Sequence, residues 1–168
     1  SAIAPSLFDA SVQFIEDTGY WEPNLALGHK VSRFYQTRKP HSFGAIAMFR
    51  NEDGSLWQGK PENPRLGKDG EPHKYESPVG IGACGYLPPV PPEIRQKISE
   101  LWGVEVPLDG SFWEWIEEHP EMPIVITEGA KKALSLLSEG VVAIALFGVN
   151  SGVLKNDKIN GENVRKLK

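Results

Sequence analysis

Residues 123–152, PIVITEGAKKALSLLSEGVVAIALFGVNSG, constrain the fold more than any other stretch of the chain. Ile124-Val125-Ile126-Thr127 is a short β-branched run suited to a strand buried on both faces, and it stops at Glu128-Gly129. The period then changes: Ala130, Ala133, Leu134 and Leu137 fall at i, i+3, i+4 and i+7 on one helical face. Gly140 supplies a helix stop, and Val141 to Phe147 read as a second buried strand closed by Gly148. This is a β-α-β unit, whose strands are expected to be parallel neighbours with a right-handed crossover. Glu128 stands at the carboxyl end of its first strand, where open α/β sheets place ligands and chemistry.

A strand ending in Glu-Gly, then a helix with a small-residue and leucine face, then a hydrophobic strand closed by Gly, resembles the first half of a Toprim domain, the module of DnaG-type primases and topoisomerases. The wording ThrGluGlyAlaLysLysAla, with TrpGlnGlyLysProGlu at 57–62 and LysTyrGluSerPro at 74–78, is more similar to the Toprim-like (DUF3854-type) region of cyanobacterial plasmid replication proteins, the CyRepA kind. These blocks span residues 57–152. The resemblance implies primase-like nucleotidyl transfer or replication initiation in an intact protein. It also implies Mg²⁺, held by a strand-end glutamate and an Asp-x-Asp on the next strand but one.

The 168 residues are 40% hydrophobic with five Trp and seven Phe, enough for one sizeable core and at most two small lobes. A net charge of −4 excludes a globally basic nucleic-acid binder, yet charge is segregated. Residues 29–74 carry nine bases against five acids, whereas 75–122 carry two against nine. Either the former builds a local basic face or these are scattered solvated charges. The lone Cys84 excludes an internal disulfide, and no signal peptide or membrane-length apolar run occurs, so a cytoplasmic setting without membrane attachment is expected. The chain starts at Ser and ends on a polar string, so a fragment of a longer protein is expected, joined to other replication domains of the same polypeptide.

In chain order, Ser6 as N-cap, the shared face of Phe8, Val12 and Ile15, and Gly19 as a stop predict a helix over 6–18. Residues 20–39 read as an irregular connector. There Arg33, Arg38 and Lys39 can meet phosphates beside Phe34 and Tyr35, or simply snorkel outward around a core edge. Phe43–Arg50 and Ser55–Gln58 flank an Asp-Gly turn and predict a β-hairpin. Residues 60–74, rich in Pro, Gly and bases, read as loop, with Lys60, Arg65 and Lys74 the best phosphate-contact candidates and Lys68 equally a solvated hairpin tip. The glycines at 80, 82 and 85 form no P-loop, because no Lys-Ser/Thr follows. The four histidines lack metal-ligand spacing.

Pro88–Pro92 form a stiff spacer into a helix with Ile94, Ile98, Leu101 and Trp102 on its buried stripe. A second helix starts at Ser111 with Glu114 completing a capping box, turns Trp113 and Ile116 inward, and ends at Pro120. The organisation expected is α/β, or α+β overall: a β-rich extension over 1–87, a proline hinge with two short helices over 88–122, and a truncated Toprim-like β-α-β unit with parallel strands over 123–168.

A lone carboxylate cannot hold Mg²⁺ well, because that ion expects several oxygen ligands. After Gly148 only Asp157 and Glu162 remain, and neither follows a hydrophobic strand, so no Asp-x-Asp element is present. Glu128 is the candidate general acid/base or metal-proximal carboxylate, or else an ordinary carboxylate at the N-terminus of the following helix. Lys131 and Lys132 depart from the acidic first turn usual in Toprim domains and can bind phosphate or pair with Glu128. Gly129, Gly148, Asn150 and Ser151 are expected to line the same crevice. Beside catalysis in the intact protein stand two alternatives: a non-catalytic DNA- or partner-binding module, and a Toprim-group nuclease or phosphohydrolase. The sheet edge beside Val141–Phe147 is expected to be open to pairing with a second copy.

Overall fold

Pro5 opens the first helix of a computed structural model, which describes residues 2–18, 22–29, 41–82 and 84–147 in full and the backbone of two strands at 153–159 and 162–167. The chain divides into two compact units, one of Ala4–Gly82 with Pro88–Pro91, the other of Ser1–Ile3, Ala83–Leu87 and Pro92–Lys168.

In the first unit, α1 (Pro5–Ser11) starts where the fixed φ of Pro5 suits a first helical turn, and it gives way at once to β1 (Val12–Ile15). The single helix expected over 6–18 is therefore half helix and half strand. Val12 and Ile15 satisfy a helical period, but both are β-branched, and pairing with β2 (Ile46–Arg50) decides their conformation. The predicted hairpin of β2 and β3 (Leu56–Pro61) forms. Its turn is fixed by Gly54 at φ +82° and by Asp53, whose carboxylate accepts from the Ser55 amide at 2.9 Å and hydroxyl at 2.6 Å. Those bonds hold the Asp53 carboxyl below its ordinary range.

The sheet order is β1-β2-β3, antiparallel throughout. One face is apolar: Leu27, which follows the short helix α2 (Glu22–Ala26), Phe43, Ile46 and Met48 are fully buried, with Ile15 and Leu56 packed against them. Gly59 on β3 is required by this packing, since an added Cβ would run into Met48 Sδ and lie 2.6 Å from Ile46 Cδ1. Residues 60–74 are more ordered than their composition suggests. Gly59 and Glu76 exchange two backbone hydrogen bonds at 2.7 and 2.8 Å, Leu66 bridges Pro72, and the His73 amide donates to Arg65 O at 2.7 Å. This segment is a small hairpin folded back onto the edge of β3.

In the second unit, α3 (Pro92–Trp102) buries Ile94 and Ile98. Of the two others expected on the same stripe, Leu101 is more than half exposed and Trp102 is partly exposed. The indole N–H of Trp102 instead donates to Gly140 O at 3.0 Å, and Lys97 Nζ donates to Ser138 O at 2.9 Å. These are orphan carbonyls at a helix C-terminus, satisfied from a neighbouring helix. α4 (Phe112–Glu118) begins as predicted: the Ser111 hydroxyl accepts from the Glu114 amide at 3.2 Å, and Trp113 and Ile116 are buried. Phe112 is buried too, under the guanidinium of Arg95, which donates to the carbonyls of Pro107, Asp109 and Gly110.

β4 (Val125–Glu128), α5 (Ala130–Ser138) and β5 (Ala143–Leu146) are the predicted β-α-β unit, with β4 and β5 parallel and Val125 opposite Ala143. Ala130, Ala133, Leu134 and Leu137 are all buried on α5, as their period requires. Gly140 at φ +81° ends the turn after it. β4 departs from the expectation of burial on both faces: Ile124, Val125 and Ile126 are exposed, Ile126 by 63%. Among the described residues β4 pairs with β5 alone, so its outer edge has no neighbour to cover it. The far edge of β5 meets Tyr86, whose amide donates to Ala145 O at 2.8 Å. Among the described residues the open edge is thus that of β4, not of β5. Beyond them, β6 (Val153–Ile159) and β7 (Glu162–Leu167) pair antiparallel. The polar composition of this stretch gives no apolar alternation to announce a hairpin.

Candidate functional site

Glu128 is the last residue of β4, and the chain turns into α5 through Gly129, the helix N-cap, at φ +82° and ψ 143°. That backbone conformation is accessible to Gly and unfavourable for side chains with a Cβ. The Gly129 amide donates to Leu146 O at 3.2 Å, which pins the strand end against β5. Glu128 is exposed, and Lys132 Nζ lies 3.8 Å from its Oε2, one helical turn on. Both side chains are more than half exposed, so the pair contributes only a few tenths of a kcal/mol. Lys131 is exposed on the same turn.

Magnesium needs several oxygen ligands, whereas this strand end brings one carboxylate with an ammonium beside it. Among the described residues no group of three His, Cys, Asp or Glu side chains is placed to hold a metal ion, so these residues do not by themselves fit Mg²⁺. Gly148, Asn150 and Ser151, expected in the same crevice, lie outside the described residues, as do Arg33, Arg38, Lys39, Phe34 and Tyr35. Asp157 falls on β6 and Glu162 opens β7.

The basic candidates of 60–74 separate into two kinds. Arg65 donates to Glu76 through Nε at 2.8 Å and Nη2 at 2.5 Å, and Glu76 is buried. The hydrogen bonds to Glu76 raise the Arg65 pKa and keep the guanidinium charged, while occupying it. Lys60 and Lys74 are exposed and reach solvent. Arg65 also lies over the ring of Phe43, 5.8 Å from its centroid, and the rings of His41 and His29 lie 4.8 and 6.1 Å from Phe43. His29 Nδ1 is 3.0 Å from Asn24 Oδ1, and Asn24 Nδ2 donates to His41 O at 2.8 Å. With the amide so oriented, His29 carries its proton on Nδ1. Burial and the Arg65 cation push the His29 pKa below 6.5, partly offset by Glu76. Sequence reasoning passed over this cluster because its members are spread over residues 24–76 and share no motif.

A family model described as a domain of unknown function, DUF3854, matches residues 112–168, from α4 through β7. Over 117 residues the chain is 41% identical to an uncharacterised protein of Picosynechococcus sp., a match covering 68% of this chain and 12% of that protein. The matched segment is thus a small part of that relative's length. No solved structure matches the chain. No helix among the described residues is long and apolar enough to cross a membrane.

Proposed function

We propose that this chain is a segment of a DNA replication protein of plasmid or mobile-element type, in which β4-α5-β5 is the front half of a Toprim-like domain and Glu128 its strand-end carboxylate. The observation that carries this reading is the parallel β-α-β unit with Glu128 at the carboxyl end of its first strand and a positive-φ glycine next to it. The Toprim-like wording across residues 57–152 supports the class of chemistry. In the intact protein the unit contributes to primase-like nucleotidyl transfer or replication initiation. On its own it brings together no group of three His, Cys, Asp or Glu side chains that could hold a metal ion among the described residues.

The test is Mg²⁺-dependent primer synthesis and strand nicking by this chain, wild type and Glu128→Gln. Neither activity is expected. Robust activity that Glu128→Gln abolishes contradicts the claim that this is half a site.

An exposed Glu128 with the Lys132 ammonium beside it favours a second reading, a non-catalytic DNA-binding module with the β-α-β unit as scaffold. DNA affinity that depends on salt, survives Glu128→Ala and falls on charge reversal at Lys60 and Lys74 is its signature.

A further inference from the structure

Side chains on β1, β2 and β3 alternate between two faces. Ile46, Met48 and Gly59 face the buried core, and Glu76, paired to Gly59, is buried with them. Their neighbours along each strand point the other way. The registers Phe14↔Ala47 and Ala47↔Lys60 set one row of side chains across three strands, and the Gly59–Glu76 bridge brings Tyr75 alongside Lys60. Across the sheet the row reads Phe14, Ala47, Lys60, Tyr75.

This row has an unusual composition for a surface. Phe14 is 63% exposed and Tyr75 39%, and Lys60 between them is exposed. At about 4.8 Å per strand the two aromatics stand roughly 14 Å apart. Ala47 keeps the middle of the row low, and the Phe8 ring, 6.1 Å from Phe14, braces one end. Glu62, the carboxylate two residues beyond Lys60, accepts from the Ala45 amide at 3.3 Å. Phe49 and Gln58 on the same face are buried, so the row lies at its exposed end, and two aromatic faces flanking a cation there suit splayed bases and the phosphates that join them.

We infer that this row is a binding platform for single-stranded nucleic acid, with bases stacking on Phe14 and Tyr75 and Lys60 contacting the backbone phosphate. Bases within a duplex keep their faces stacked on one another and cannot use it. A neutral sugar chain can lie on aromatic rings but has no use for Lys60. All four residues belong to the Ala4–Gly82 unit, so the inference is independent of the reading of Glu128, and either can fail alone.

The experiment is a fluorescence-anisotropy titration of the whole chain with a labelled oligothymidylate, a duplex of equal length and a neutral oligosaccharide competitor. The variants are Phe14→Ala, Tyr75→Ala, Tyr75→Phe and Lys60→Gln. Because all three positions are exposed, retained folding is checked by near-ultraviolet circular dichroism. Each alanine variant is expected to weaken single-strand binding by roughly 5- to 100-fold, and Tyr75→Phe to leave it nearly unchanged. Lys60→Gln is expected to reduce the slope of log affinity against log salt by about 0.7. Four results overturn the inference: no single-strand binding, equal affinity for duplex, displacement by the oligosaccharide, or full affinity in folded Phe14→Ala and Tyr75→Ala.

Discussion

Arg65 is joined to Glu76 by two hydrogen bonds, and the carboxylate is buried while the guanidinium is partly exposed. The pair closes the 62–76 excursion onto the edge of β3, so Arg65 has a structural task where its sequence setting suggested a phosphate contact. Arg65→Ala leaves a buried carboxylate without its donor and is expected to cost about 1–3 kcal/mol. Arg65→Lys recovers only part, because an ammonium cannot reproduce the fork. Urea unfolding measures both; an unchanged midpoint in Arg65→Ala contradicts the assignment.

His29 sits beside that pair with a pKa held below its unfolded value of 6.5. The folded state therefore favours the neutral ring. Its stability is complete above the unfolded pKa and falls as pH drops through it, because the unfolded chain then binds the proton more readily. Wild type is expected to lose stability between about pH 7 and 5 relative to His29→Gln. Parallel stability curves for the two over that range contradict this.

Gly59 lies against Met48 and Ile46 with no room for a methyl group. Gly59→Ala must push two core side chains aside, and a loss of about 1–3 kcal/mol is expected by analogy with overpacked cores. Thermal unfolding that matches wild type excludes such tight packing.

The two apolar runs of the β-α-β unit differ in what they hold. Leu134 on α5 is fully buried, and Leu134→Ala is expected to cost about 2–5 kcal/mol. Ile126 on β4 is mostly exposed, and Ile126→Thr is expected to stay within about 0.5 kcal/mol. Equal losses from both show that β4 is buried in solution.

The sequence discloses what local chemistry decides. The α5 face, the Ser111 cap, the Asp53-Gly54 turn and the parallel pairing of β4 and β5 all follow from spacing. What it conceals depends on partners far along the chain. Val12–Ile15 become a strand only because β2 lies beside them. Ile124–Ile126 carry the composition of a buried strand, and only the sheet's width shows them uncovered. Arg65 reads as a phosphate ligand until Glu76, eleven residues on, is seen to hold it. Phe14 and Tyr75 belong to one surface only through two strand registers and one isolated bridge, which no motif records. Glu128 was legible as a strand-end carboxylate, and its pairing with Lys132 was among the alternatives that the sequence left open.

The most direct measurement is template-directed primer synthesis with Mg²⁺ by the longer polypeptide that this reading requires, wild type against Glu128→Gln. Synthesis that falls at least about 100-fold in the variant, with its folding intact, is the predicted result for a group acting in general acid/base catalysis. Undiminished synthesis in Glu128→Gln contradicts the account.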